Sequence, residues 1–140
     1  MIEAEVGQSR EWTVLRERAA AAMAHAYAPY SGFRVGAALL GTDGSVAEGC
    51  NVENAAYPAG ICAERAAVAA AVARGVRNFS ALVIATEADV PTPPCGMCRQ
   101  VLMEFAPDLA VLSTTRSGAE AQWSMSDLLP EAFTPTSLGR

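Results

Sequence analysis

The 140-residue sequence predicts an α/β fold in three layers, a five-stranded mixed sheet with helices on both faces. Short apolar runs punctuated by Gly and Pro alternate with longer Ala-rich segments, the mark of strands alternating with helices. Only Thr114 to Gly118 separates the last two strands, too few residues for a parallel crossover, so these two must be antiparallel if they pair. One domain spanning 1–140 is expected, long enough to bury a core without disulfide staples.

The first helix is read over residues 9–27, with Ser9 as its cap and Trp12, Leu15, Ala19, Ala22, Met23 and Ala26 recurring at three and four. His25, the single histidine, falls near its end and reads as a surface residue at a helix C-terminus rather than a metal ligand. Ala28-Pro29-Tyr30-Ser31-Gly32-Phe33 breaks the helix, and strands follow over 34–40 and 46–51, joined by an Asp43-Gly44 hairpin signal that makes them adjacent and antiparallel. Phe33, just before the first strand, suits either core filling or the aromatic wall of a pocket. A polar loop from Asn51 to Pro58 leads to a second helix over 62–74, ended by Gly75. Residues 81–86 form a β-branched central strand, and the strand–helix–strand order predicts that it runs parallel to its neighbour. A third helix over 95–105 turns Val101, Leu102 and Phe105 to the sheet. Strands over 109–113 and about 119–125 complete it, followed by a helical turn over 126–129 and a loosely held tail from Thr134.

Composition narrows the partners. The net charge is −5 and all ten basic residues are Arg. Arg10, Arg16 and Arg18 interleave with Glu11 and Glu17, so no basic stripe exists to follow a phosphate backbone or an anionic membrane. The acidic start Met1-Ile2-Glu3-Ala4-Glu5 lacks the order of a signal peptide, and the longest apolar runs are too short to span a bilayer. A cytoplasmic protein is expected, in which four cysteines are thiols or metal ligands rather than a disulfide framework.

The chemistry concentrates in Cys62-Ala63-Glu64-Arg65 and Pro94-Cys95-Gly96-Met97-Cys98. Three readings compete. A redox Cys-x-x-Cys pair leaves Cys62 and Glu64 without a role. A closed structural zinc site, the basis of a binding module without turnover, needs a fourth ligand such as Cys50; but Cys50 sits in an apolar strand, where it reads as a small buried hydrophobe. An open catalytic zinc site uses Cys62, Cys95 and Cys98 as ligands and Glu64 as acid and base. The last is favoured because Cys62 and Cys95 fall at the first turns of two helices, whose dipoles stabilise thiolates. Three thiolates on one divalent ion leave about one net negative charge. Arg65 is placed to offset it through charge-assisted hydrogen bonds, with Arg99 as a second candidate.

These two segments resemble the zinc signature of the small cytidine deaminases. So do Ala28-Pro29-Tyr30-Ser31-Gly32-Phe33, Val35-Gly36-Ala37-Ala38-Leu39, Gly49-Cys50-Asn51-Val52-Glu53-Asn54-Ala55 and Leu128-Leu129-Pro130-Glu131-Ala132-Phe133, in the same order. The resemblance implies a cytidine-deaminase-like fold with one Zn2+ per chain on Cys62, Cys95 and Cys98. It implies hydrolysis of cytidine and 2′-deoxycytidine to the uridines and ammonia, as part of pyrimidine salvage. Glu64 takes a proton from the attacking water and passes it to N3 and then to the leaving amine. The Ala63 N–H binds the ring, Asn51 and Glu53 hold the ribose 3′-hydroxyl, and Phe33 packs on the base. In a homotetramer, Ala55, Tyr57 and Phe133 complete a neighbour's pocket. Met97 and Thr92-Pro93 depart from the family's usual residues and are expected to reshape the wall near the leaving amine. Relatives acting on nucleotides and nucleic acids usually present His where Cys62 stands, which argues against a polynucleotide substrate. The alternative is another aminopyrimidine nucleoside or a cytosine-nucleoside antibiotic, whose deaminases lack the Asn51-Val52-Glu53-Asn54 context.

Overall fold

In a computed structural model, described over residues 9–140, α1 (Arg10–Met23) leads into the hairpin β1 (Val35–Gly41) and β2 (Val46–Cys50). Then follow α2 (Ala63–Ala73), β3 (Phe79–Thr86), α3 (Gly96–Phe105), β4 (Ala110–Thr115), β5 (Glu120–Ser124) and the single turn α4 (Met125–Leu128). The acidic Met1–Glu5 stretch lies outside the described residues. No helix among those described is long and apolar enough to cross a membrane.

The five strands are ordered β2-β1-β3-β4-β5, with β3 and β4 parallel and every other pair antiparallel. The expected hairpin is present: Gly44 takes φ +88° and Ser45 donates from its amide and hydroxyl to Asp43 Oδ1. The crossover through α2 needs correcting. β2 and β3 run in the same direction, but β1 lies between them, so the pairing neighbours of β3 are antiparallel β1 and parallel β4. Crossover length constrains strand direction and leaves open whether an earlier hairpin strand occupies the gap.

Side chains alternate across the two central strands, as a period of two requires. On one face Ala38 and Leu40 of β1 and Ala81, Val83 and Ala85 of β3 meet Trp12, Leu15 and Ala19 of α1. On the other, Ala37, Leu39, Leu82 and Ile84 meet Ala63, Ala67, Val68 and Ala71 of α2 and Leu102 of α3. Two glycines permit the close approach of helices. A Cβ on Gly36 would lie 2.0 Å from the Ala19 carbonyl of α1, and one on Gly49 would lie 2.3 Å from the Ala63 carbonyl of α2.

Element ends differ from expectation for local reasons. α1 stops at Met23 because the chain peels away to pair with the loop after β2: Tyr27 N–H donates to the Asn51 carbonyl at 3.0 Å and Glu53 N–H to the Tyr27 carbonyl at 2.8 Å. His25 therefore lies beyond the helix, exposed as expected. Ser9 holds the N-cap position, yet its side chain makes no capping bond among the described residues. The tail is more ordered than expected, with a 3-10 turn over Pro135–Leu138 capped reciprocally by Thr134 and Ser137.

Candidate metal centre

β2 and β3 end on the same side of the sheet, and the loops leaving them deliver the N-termini of α2 and α3 to one place. Crevices beyond strand carboxyl ends are the usual ligand sites of open α/β sheets. The loop after β2 is fastened by Val52 and Ile61, which exchange two backbone hydrogen bonds of 3.0 Å. Cys62 and Cys95 are the N-cap residues of α2 and α3, one position before the first turn, and neither thiol caps its own helix. Both sulfurs stay available as ligands, each at the positive end of a helix dipole.

Cys62, Cys95 and Cys98 bring their Sγ atoms within 4.8 Å of one another. Cys62 and Cys95 are 3.8 Å apart and Cys95 and Cys98 3.5 Å. Thiolates 2.3 Å from a tetrahedral zinc lie about 3.8 Å from each other, so the cluster fits three corners of a zinc site. Cys50 is outside the cluster, half-buried at the end of β2 rather than enclosed in the core. The fourth position is thus left open by the cysteines. As a free thiol, Cys62 is held down at about 5, first by its interaction with Cys98 and then by Arg65 and Cys95. Cys98 is pushed up by donating to Cys62 and by burial. The direction for Cys62 follows from its helix terminus and its cation, and a divalent ion would ionise all three.

Arg65 Nη2 donates to Cys62 Sγ at 3.5 Å, as the charge argument requires. Arg99 does not join it. Its Nε donates to the Pro94 carbonyl and its Nη1 to the Leu128 carbonyl, both at 2.8 Å, so it braces the ligand loop rather than the sulfurs. Spacing does not separate them, since Arg65 lies three residues after Cys62 and Arg99 four after Cys95; the difference is that the Pro94 and Leu128 carbonyls take the Arg99 guanidinium.

Glu64 is 5% exposed at the second position of α2, and burial pushes its carboxyl up to about 7. It lines a cavity of about 230 Å³ together with Cys62, Cys95, Ala63, Asn51, Glu53 and Phe33. Ala63 opens the helix, where the backbone N–H has no intrahelical acceptor. Asn51 bridges the start of β1, its Oδ1 accepting from Val35 N–H and its Nδ2 donating to the Phe33 carbonyl, each at 2.8 Å. Thr92 and Pro93 line the same cavity as expected, whereas Met97 is exposed and does not. Ala55, Tyr57 and Phe133 lie outside this cavity, exposed to solvent, with Tyr57 75% and Phe133 57% exposed.

One wall residue stands in a segment that carries the resemblance but had no role assigned to it. Ser31 lines the cavity and hydrogen-bonds Glu53, a partner 22 positions away that only the fold reveals.

A buried carboxyl beside three convergent thiols, in a cavity that also presents amide, carboxylate and aromatic groups, defines a zinc-dependent hydrolase acting on a small polar molecule. The model of the cytidine and deoxycytidylate deaminase zinc-binding region matches residues 10–114. A crystal structure of cytidine deaminase from Burkholderia pseudomallei superposes with a TM-score of 0.83 at 49% identity, covering 86% of this chain and 98% of that one. The cytidine deaminase of Sporosarcina psychrophila is 46% identical over 114 residues, 81% of this chain and 84% of its own. The Mycobacterium tuberculosis cytidine deaminase structure gives a TM-score of 0.76 at 42% identity, over 89% and 98% of the two chains. The chain belongs to the cytidine and deoxycytidylate deaminase family.

Proposed function

We propose that the protein hydrolyses cytidine and 2′-deoxycytidine to uridine and 2′-deoxyuridine, releasing one ammonia per turnover. The observation that carries this reading is the buried Glu64 in the same cavity as Cys62 and Cys95 of the three-thiol cluster. Cys62, Cys95 and Cys98 would hold one zinc ion, which when bound supplies Lewis acidity and makes water a competent nucleophile at neutral pH.

The chain's own groups carry the protons and position the base. Glu64 accepts a proton from the attacking water as the water oxygen bonds to C4 and delivers it to pyrimidine N3; it then takes the second proton from the C4 hydroxyl and gives it to the exocyclic amine as the C4–N4 bond breaks and ammonia leaves. A carboxyl whose burial brings it near neutrality suits both directions of transfer. The Ala63 N–H donates to the ring, and Phe33 packs on its face. Glu53 and the remaining hydrogen-bonding capacity of Asn51 receive the ribose 3′-hydroxyl. Arg65 offsets the excess negative charge of the thiolates.

The exposed Tyr57 and Phe133 suit burial against a second copy, and we read the working form as a homotetramer in which Ala55, Tyr57 and Phe133 complete a neighbour's pocket. Three ligating cysteines require reduced thiols, which a cytoplasmic setting in pyrimidine salvage provides. The test is product analysis. Zinc-replete protein with either nucleoside should yield equal amounts of the uracil nucleoside and ammonia, and unchanged nucleoside at one zinc per chain would contradict the proposal.

A further inference from the structure

The loop between α1 and β1 is folded around a single carboxylate. Tyr30 N–H and Ser31 N–H both donate to Glu53 Oε1 at 3.0 Å, and the Ser31 hydroxyl donates to Glu53 Oε2. The same hydroxyl oxygen accepts from Phe33 N–H at 3.0 Å. Gly32 makes the tight return possible with φ +68°, and its N–H closes the turn on the Ala28 carbonyl at 2.9 Å.

A carboxylate offers about four lone-pair positions. Three of the four on Glu53 are taken by this loop, two on Oε1 and one on Oε2, which leaves one position on Oε2 for an incoming donor. Ser31 and Glu53 stand together in the wall of the cavity that holds Glu64, and also in that of an adjoining cavity of about 330 Å³ beside Tyr30 and Tyr57. Glu53 is partly exposed, so without its third donor only the two bonds at Oε1 remain and nothing in this loop fixes the direction of Oε2.

We propose that Ser31 is a positioning residue for sugar recognition, its hydroxyl orienting Glu53 so that the remaining Oε2 lone pair meets the nucleoside's 3′-hydroxyl. This rests on the reading of Glu53 as a sugar-binding group. Because Ser31 also accepts from Phe33 N–H, one hydroxyl ties the sugar side of the pocket to the base side.

The experiment compares kcat/KM for cytidine with that for 3′-deoxycytidine in the zinc-loaded full chain, in Ser31→Ala and in Glu53→Gln. The ratio of the two values isolates the 3′-hydroxyl, and any loss of loop shape or of Phe33 placement lowers both values together and cancels. In Ser31→Ala the ratio is expected to fall roughly 3- to 10-fold toward unity, as for a hydrogen bond to a partly exposed charge. In Glu53→Gln it should fall at least as far. A parental ratio in Ser31→Ala alongside a reduced one in Glu53→Gln overturns the role of Ser31 alone. If Glu53→Gln also keeps the parental ratio, or the parent treats the two nucleosides alike, the reading of Glu53 fails and the role of Ser31 fails with it.

Discussion

Replacing Arg65 by Ala removes the one cation that, among the described residues, donates to a ligand sulfur, 3.5 Å from Cys62. Three thiolates on a divalent ion carry about one net negative charge, which opposes ionisation of the attacking water. A hydrogen bond to a charged group is worth roughly 1.5–3 kcal/mol, and the partial exposure of Arg65 screens it to about 1–1.5 kcal/mol. One pKa unit corresponds to 1.36 kcal/mol, so the water's ionisation should move up by about one unit. Below that pKa the rate should fall about tenfold. The assay is kcat/KM for cytidine between pH 5 and 10, with zinc measured per chain. The acid limb of Arg65→Ala should lie about one unit higher, and its deficit should shrink as pH rises. Superimposable profiles at one zinc per chain would refute the charge argument, and a pH-independent loss that tracks lost zinc would reduce Arg65 to a structural part.

Three further outcomes follow from particular contacts. Glu87 is held at about 2, first by its bidentate bond to Arg34 and then by Arg116. A lowered carboxyl contributes stability above its unfolded value of about 4.3 and loses it as pH falls toward 2. The melting temperature of Glu87→Gln should therefore lie below the parent's at pH 7 and converge with it near pH 2; a constant gap would contradict the linkage. Gly49→Ala places a Cβ 2.3 Å from the Ala63 carbonyl, so α2 must move; roughly 1–3 kcal/mol of stability should be lost in urea titrations, with faster zinc release to a chelator. Parental values in both would mean that α2 does not need this contact. If the proposed homotetramer shares its pockets, Phe133→Ala should lose activity and mixing it with inactive Glu64→Gln should restore part of it; no rescue in verified mixed oligomers would contradict sharing.

Local chemistry made most of the fold readable. The Asp43-Gly44 turn, the apolar runs that became β1 and β3, and the Ala-rich α2 all announce themselves within a few residues. Strand order did not, because nothing in the crossover tells β3 to lie beside β1 rather than β2. At the site, the three-cysteine cluster was legible because metal chemistry restricts residue type and spacing. Arg65 and the second candidate Arg99 both lie one helical turn from a ligand cysteine, and only the folded positions of the Pro94 and Leu128 carbonyls separate the one facing a sulfur from the one facing two carbonyls. Ser31, read only within a resembling segment, had no role assigned because its partner Glu53 is brought to it by the pairing of Tyr27 with the loop after β2.

The central claim is that the buried Glu64 carries protons for a hydrolysis at the three-cysteine centre. Its most direct test is the loss of cytidine absorbance with parent and Glu64→Gln side by side, zinc being measured per chain in each. The account predicts one zinc per chain in both, the parental melting behaviour, and a rate lower by a factor of about 10² or more in the variant. A Glu64→Gln protein that holds zinc and still turns over cytidine at the parental rate would contradict it.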